Sequence, residues 1–358
     1  MQIDLCIDDF INEHKLDEFR SDTNLAGKAA VDRETIAKLR HSGANPRLDT
    51  LGKVVSALAD AAAMPPDVVL FQLLSMRPPE FLKMIPSDGS VRLFLGEHSE
   101  HEPGGVSTPY ISRRDALVSF QFMRYITARK RGATIQPEYL SSASPDGPVS
   151  DASRLPGELI ALVRDGAQND CSIFIGSPRR NPLVEHFVAA MFNCPAYREP
   201  RERPIIPFHL VYRPGVRLSS CFGGMGHVPG HPEFSEPGIY LMDGLDHWTA
   251  CPWQLNMRDA GMVIIQWVPE KFSCRLALWG LSGWGTEALG RAFLIHPDRF
   301  WQPDQAFHWK NSRIAVCICH FRTVRDPGKG DSAPIHAGDL TIHHLKSEVL
   351  SHFLQCKS

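Results

Sequence analysis

Two segments place small residues and cations where an apolar run gives way to a helix. Residues 171–187 read CSIFIGSPRRNPLVEHF, and residues 274–293 read CRLALWGLSGWGTEALGRAF. Each reads as a buried strand, a loop of small residues and a helix. Free backbone N–H groups at the helix start, together with its dipole, make such a loop an anion site. In the first segment Gly176 and Ser177 admit close approach, Arg179 and Arg180 carry charge, and Asn181 caps the helix. In the second, Gly283 and Gly285 admit close approach and Thr286 has a hydroxyl to spare. These eight residues are the ligand-binding candidates. The glycines equally serve tight strand-to-helix turns. Neither segment carries G-x-G-x-x-G or the Gly-Lys-Ser/Thr of a Walker A loop.

Other reactive residue types are less ordered. Cys221, His227, His231, His247 and Cys251 are metal-ligand types, yet the histidines sit among Gly and Pro, and the Cys-x-x-Cys of a structural zinc site is missing. No metal or cofactor is assigned. Ser282 in GLSGWG stands near the nucleophile-elbow pattern, but Trp284 occupies the position that needs Gly. Glu185 and Glu287 lie near helix starts beside the two loops. They can act on a bound nucleotide or simply face the helix dipole. Residues 242–253, MDGLDHWTACPW, can line a pocket with Trp248, Trp253, Asp243 and Asp246, or cap the sheet as an exposed loop. Asp259 points to the same end or turns the chain.

The elements that must position these residues follow from patterning. Residues 171–176, 261–268, 274–280 and 313–319 are short apolar runs suited to buried strands, and alternation places Cys317 and Cys319 on one face as buried thiols. Helix patterns at 182–192 and 287–294 lie between them. Strand–loop–helix alternation predicts an α/β, Rossmann-like sheet, largely parallel. Residues 113–131 predict a core helix with Leu117, Phe120, Met123, Tyr125 and Ile126 inward, and Ser112 with Asp115 resembles a capping box. Residues 86–109, rich in Gly, Pro, Glu and His, read as loop, and 141–156 as linker. Three regions are expected: a helical domain over 1–64, a helical connector and linker over 65–150, and an α/β ligand-sensing domain over 151–358.

The 358 residues suffice for two or more domains at roughly 100–200 residues each. With 43% hydrophobic and 22% charged residues the composition is globular, and a net charge of -2 excludes a chain that binds polyanions over its whole surface. Nine cysteines without pattern, no leader-like start and no long apolar run predict a reduced, cytoplasmic protein outside the membrane. Charge is local. Residues 4–18 are acidic, whereas seven cationic side chains face four acidic ones from Arg20 to Lys53.

That mildly basic stretch is helical. Ser21 and Asp22 open one helix, a turn falls at Ala30-Val31, and Asp32 caps a second, RETIAKLR, with Ile36 and Leu39 on one face. GANP closes it, and residues 47–58 form a further helix with Leu48, Leu51, Val54, Val55 and Leu58 inward. Residues 16–62 resemble the Cro/cI-type (XRE) helix-turn-helix family through Leu25-Ala26, Val31, Ile36, Leu39, Asn45-Pro46, Leu48 and Thr50-Leu51. Arg40 stands where that family usually has Glu, and Ser42 where it usually has Gly. The resemblance implies double-stranded DNA as partner, with Arg33, Glu34 and Lys38 near base edges and Thr35, His41, Asn45 and Arg47 at or near the backbone. A helical bundle mediating protein contacts is the alternative. The expected function is a homodimeric transcription regulator whose α/β domain senses a small anionic ligand such as a nucleotide. The competing expectation is a nucleotide- or NAD-processing enzyme or stress-response effector that carries the helix-turn-helix as a targeting or autoregulatory module.

Overall fold

The computed structural model describes the chain except residues 1–4, 6, 41–46, 75–79, 87–88, 102–106, 131, 142–154, 198–203, 212–219, 224–225, 245–246, 255–256, 326–334 and 356–358. The chain divides into two compact units, Met1–Pro79 and Glu80–Ser358.

The first unit is helical: α1 (Ile7–Glu13), α2 (Asp22–Ala29), α3 (Arg33–Arg40), α4 (Leu48–Ala62) and α5 (Pro66–Leu74). Phe10, Leu25, Ile36, Val54, Leu58, Val69 and Leu73 fill its centre. Each buries its apolar surface because its helix repeats hydrophobic residues every three or four positions. Helix α2 stops at Ala30, which is left-handed at φ 52°. Val31 N–H there reaches the Ala26 carbonyl at 3.1 Å, the six-to-one bond of a Schellman stop. As expected, Asp32 caps α3, accepting from Thr35 N at 2.7 Å. Arg40 is a fastener. It is mostly buried, pairs with Asp8 on α1 and Asp22 on α2, and donates to the Phe19 carbonyl at 2.7 Å. The acidic opening segment thus supplies one partner of the arginine that departs from the family pattern. Leu48, expected inward, is 87% exposed at the start of α4, because the buried stripe of that helix begins only at Leu51.

The second unit is α/β. After α6 (Glu80–Lys83) come β1 (Ser90–His101), β2 (Ser107–Ile111), α7 (Arg113–Arg129), β3 (Thr134–Ser141), α8 (Gly157–Asp165), β4 (Asp170–Ile175) and α9 (Pro182–Met191). Then follow β5 (Phe208–Val211), β6 (Gly238–Met242), β7 (Trp248–Pro252), β8 (Asp259–Val268), β9 (Ser273–Gly280), α10 (Gly283–Ile295), β10 (Phe307–Trp309), β11 (Ser312–Arg325), β12 (Ile335–His344) and α11 (Ser347–Gln355). Among the described residues, nine strands form one sheet, and β5, β6 and β7 form a second.

The large sheet is mixed rather than largely parallel. Strands β3, β1, β4 and β9 are parallel, with α7 between β1 and β3 in the chain, α8 between β3 and β4, and α9, the small sheet and β8 between β4 and β9. From β9 outward, β8, β11, β10 and β12 pair antiparallel, and β2 adds antiparallel to Glu97–His101 of β1. Alternation splits each strand between two cores. Ala260, Met262 and Ile264 of β8 meet α9 and the small sheet, whereas Val263 and Ile265 meet α7 and α10. Cys317 and Cys319 share the second core as buried thiols.

Residues 86–109, expected as loop, hold most of β1 and β2. Their polar composition hid the run VRLFL, whose Val91, Leu93, Phe94 and Leu95 are buried. The stretch 65–150, expected as a connector, is divided: α5 belongs to the helical unit, and β1, β2, α7 and β3 belong to the α/β unit. The expected linker lies almost wholly outside the described residues. Helix α7 buries Val118, Ser119, Phe122, Tyr125 and Ile126, while Phe120 is 53% exposed, so its inward face is turned from the expected one.

Candidate functional site

The parallel strands β4 and β9 end side by side, and their carboxyl ends open into a cavity of about 680 Å³. Open α/β sheets characteristically bind ligands at this end. Of the expected ligand residues, Ser177, Arg179, Arg180, Gly283 and Thr286 line it. Gly176, Asn181 and Gly285 do not, and each has a structural role instead.

Asn181 is fully buried. Its amide donates to the Phe94 carbonyl at 2.9 Å and the Ile175 carbonyl at 3.0 Å, and its oxygen accepts from Leu183 N at 3.2 Å. Both amide hydrogens are used, and the oxygen caps α9. Gly176 turns the chain at φ 106°, and a Cβ there would stand 3.3 Å from an Asp115 carboxylate oxygen. Gly285 packs so closely on the Asp259 carboxylate that a side chain would collide with it.

The second loop is built differently. Helix α10 begins at Gly283, four residues earlier than its apolar pattern indicates, and its cap is Ser282, whose Oγ accepts from Gly285 N at 3.0 Å. Ser282 Oγ in turn donates to Asp259, whose other oxygen accepts from Leu281 N at 3.2 Å. Thr286 is not a cap. Its Oγ1 accepts from Gly280 N at 3.0 Å and donates to the Ser282 carbonyl at 3.2 Å. Burial pushes the Asp259 carboxyl up to about 7 even though it accepts these hydrogen bonds.

A third wall comes from the start of α7. Tyr110, Ser112, Arg113, Arg114 and Asp115 all line the cavity. Ser112 makes no side-chain cap bond, so the expected capping box does not form. Asp115 is buried. Desolvation raises its carboxyl to about 6, and the Arg180 guanidinium pulls in the opposite direction. Arg114 pairs with Glu287 and lies 3.4 Å from the centre of the Trp284 ring, which Arg325 also covers. The far wall is apolar. Val211, Pro237 and Trp253 come from neighbouring ends of β5, β6 and β7, which the pairings Val211↔Gly238 and Gly238↔Pro252 bring together. Four arginines, the starts of α7 and α10 and two aromatic side chains therefore line one space, with Asp115 the one carboxylate among the described lining residues. Arg113 and Arg114 are not apparent from sequence because SRRDA looks like any helix start, and only the pairing of β2 with β1 carries it to the cavity.

The two glutamates do not reach this space. Glu287 is held by Arg114. Glu185 is fully buried on α9 and accepts from Tyr197 N at 3.0 Å, Cys221 N at 2.6 Å and Ser220 Oγ, which fastens two loops to the helix. Burial holds its carboxyl above the ordinary value. Among the described residues no three His, Cys, Asp or Glu side chains are grouped to hold a metal ion, and no helix is long and apolar enough to cross a membrane.

In the helical unit, Arg33, Glu34 and Lys38 are exposed on α3, opposite buried Ile36 and Leu39. Lys38 pairs with Glu34 at 2.8 Å, an exposed helix pair that contributes little. The Thr35 hydroxyl donates to Asp32, and Arg47 is exposed just before α4. His41 and Asn45 lie outside the described residues. Against known protein families, curated proteins and solved structures, the chain finds no match.

Proposed function

We propose that the protein is a DNA-binding transcription regulator whose α/β unit senses a small anionic ligand, with a nucleotide the class that fits best. The observation that carries the ligand reading is the cavity at the ends of β4 and β9, with Arg113, Arg114, Arg179 and Arg180 in its wall. Guanidiniums and helix starts recognise phosphate through charge and directed N–H groups. The sensor reading is favoured over the enzyme because Glu185 and Glu287, its two candidate catalytic acids, are both committed to structural partners.

The DNA reading draws support from α2, its three-residue turn and α3, which leave Arg33 and Lys38 exposed over a buried Ile36–Leu39 face. A Cro/cI-type head binds weakly alone, so a homodimer working in the cytoplasm is part of the proposal. Ligand can alter DNA affinity only if it binds the two functional states unequally.

The test is fluorescence anisotropy of a labelled random-sequence duplex with the full chain at 50–200 mM salt, an order-of-magnitude window for counterion release. R33A with K38A is expected to weaken binding about tenfold and to flatten the salt dependence. Unchanged anisotropy curves for that double variant would remove α3 from any DNA contact.

A further inference from the structure

The cavity is larger than a single phosphate fills, and its cations and rings come from different elements. At about 680 Å³ it sits in the middle of the range for ligand pockets. Arg113 and Arg114 open α7, and Arg179 and Arg180 belong to the separate loop between β4 and α9. Two aromatic surfaces also come from different elements. Tyr110 is the penultimate residue of β2 and is 42% exposed, and Trp253 follows β7 beside Val211 and Pro237. Arg114 is held by Glu287, so Arg113 on one element and Arg179 with Arg180 on the other suit two phosphates, and two separate rings suit two bases.

We infer that the ligand of this cavity is a dinucleotide: two aromatic bases joined through two phosphates, each carrying one negative charge. The inference rests on the anion-site reading above. The linker lies between Arg113 and the Arg179–Arg180 pair, one base stacks on Trp253, and the other stacks on Tyr110. A linear pyrophosphate dinucleotide and a cyclic dinucleotide share this chemistry, so both are included in the test.

The experiment is titration calorimetry of the full chain with five probes: inorganic pyrophosphate, adenosine monophosphate, adenosine triphosphate, diadenosine diphosphate and cyclic diadenylate. One of the two dinucleotides is expected to bind at least about tenfold tighter than the monophosphate, the factor one further stacked base supplies. The tighter dinucleotide identifies the linkage. Y110A and W253A are each expected to remove most of that advantage while leaving pyrophosphate binding unchanged. R113Q and R179Q are expected to weaken every probe, with circular dichroism confirming that all four variants remain folded. If the dinucleotides bind no tighter than the monophosphate, or the triphosphate binds tightest, and binding still depends on the arginines, the two-base ligand is wrong and the anion site stands. If no probe depends on Arg113 or Arg179, both readings fall.

Discussion

The loop after β4 and the loop after β9 share one sequence plan, strand, small residues, helix, yet they are secured by different chemistry. The first is pinned by a neutral amide. Asn181 ties the loop to β1 and β4 through the Phe94 and Ile175 carbonyls. The second is pinned by a carboxyl, since Asp259 holds Leu281 and Ser282 from the neighbouring strand. Beside the amide, Ser177, Arg179 and Arg180 line the cavity, whereas the second loop is held by a carboxyl whose burial favours its protonated form. Similar local sequence therefore does not fix role. What differs is the buried polar group that a distant strand contributes.

Both loops depend on a glycine in an adjoining strand, and replacing either glycine is expected to do the most damage. A Cβ at Gly96 of β1 would collide with the Arg180 carbonyl, and one at Gly280 would collide with the backbone of Gly285. Backbone cannot rotate away as a side chain can. Gly96→Ala and Gly280→Ala are each expected to cost about 5 kcal/mol, in the range of strain that packing does not relieve. Urea denaturation of the two variants measures this. A loss below about 1 kcal/mol in either would show that its loop is free to shift.

The contrast between amide and carboxyl predicts different pH behaviour. Asp259 has a folded-state pKa near 7 against an ordinary 3.8. Folding therefore binds its proton, and the stabilisation is complete below pH 3.8 and is lost as the pH rises towards 7. A shift of this size corresponds to roughly 4 kcal/mol. Denaturation midpoints are expected to fall between pH 4.5 and 7.5 as Asp259, and with it Asp115 and Glu185, ionises, and Asp259→Asn should remove the Asp259 share of that slope. Asn181→Ala orphans two buried carbonyls and one N–H. It should cost about 3 kcal/mol and leave the pH slope as it is in the parent chain. Equal slopes in the parent and Asp259→Asn would erase the distinction between the loops.

Asp115 bears on the first loop from α7, because its carboxyl adjoins Gly176 and shares Arg180 with the cavity. Ionised, it competes with a bound anion for that guanidinium. Protonated below about pH 6, it releases it. A phosphodiester, whose charge is constant over this range, is expected to bind a few-fold tighter at pH 5.5 than at 7.5, and Asp115→Asn should bind equally at both. Calorimetry at the two pH values decides this, and a pH dependence that persists in Asp115→Asn would assign it elsewhere.

Much of the cavity was legible locally. GSPRRN displayed its cations and its cap, and the strands that end at Gly176 and Gly280 were plain from apolar runs. The remainder depends on long-range pairing. Gly96 lies in a polar stretch that reads as loop until β4 is placed beside it, and Arg113 begins a helix whose position is set by β1 and β2. Asp259 becomes a loop anchor only through the antiparallel pairing of β8 with β9. In the helical unit, Arg40 looked like a departure from a family pattern, and its meaning emerged once Asp8 and Asp22 were placed around it.

The smallest expected effect separates a helix cap from a loop tie. Thr286 Oγ1 receives the Gly280 N–H and returns a hydrogen bond to the Ser282 carbonyl, so it closes the second loop on itself. The first loop closes on itself through backbone, with Arg180 N and Asn181 N both on the Ser177 carbonyl at 2.8 and 2.7 Å. Thr286→Val keeps the shape but strands a buried N–H, and should cost about 1–2 kcal/mol. Thr286→Ser keeps the hydroxyl and should recover most of that loss. Hydrogen exchange at the Gly280 amide provides the local reading: faster in the valine variant, near parental in the serine variant. Parental exchange in both would mean that the backbone closes the second loop as it closes the first.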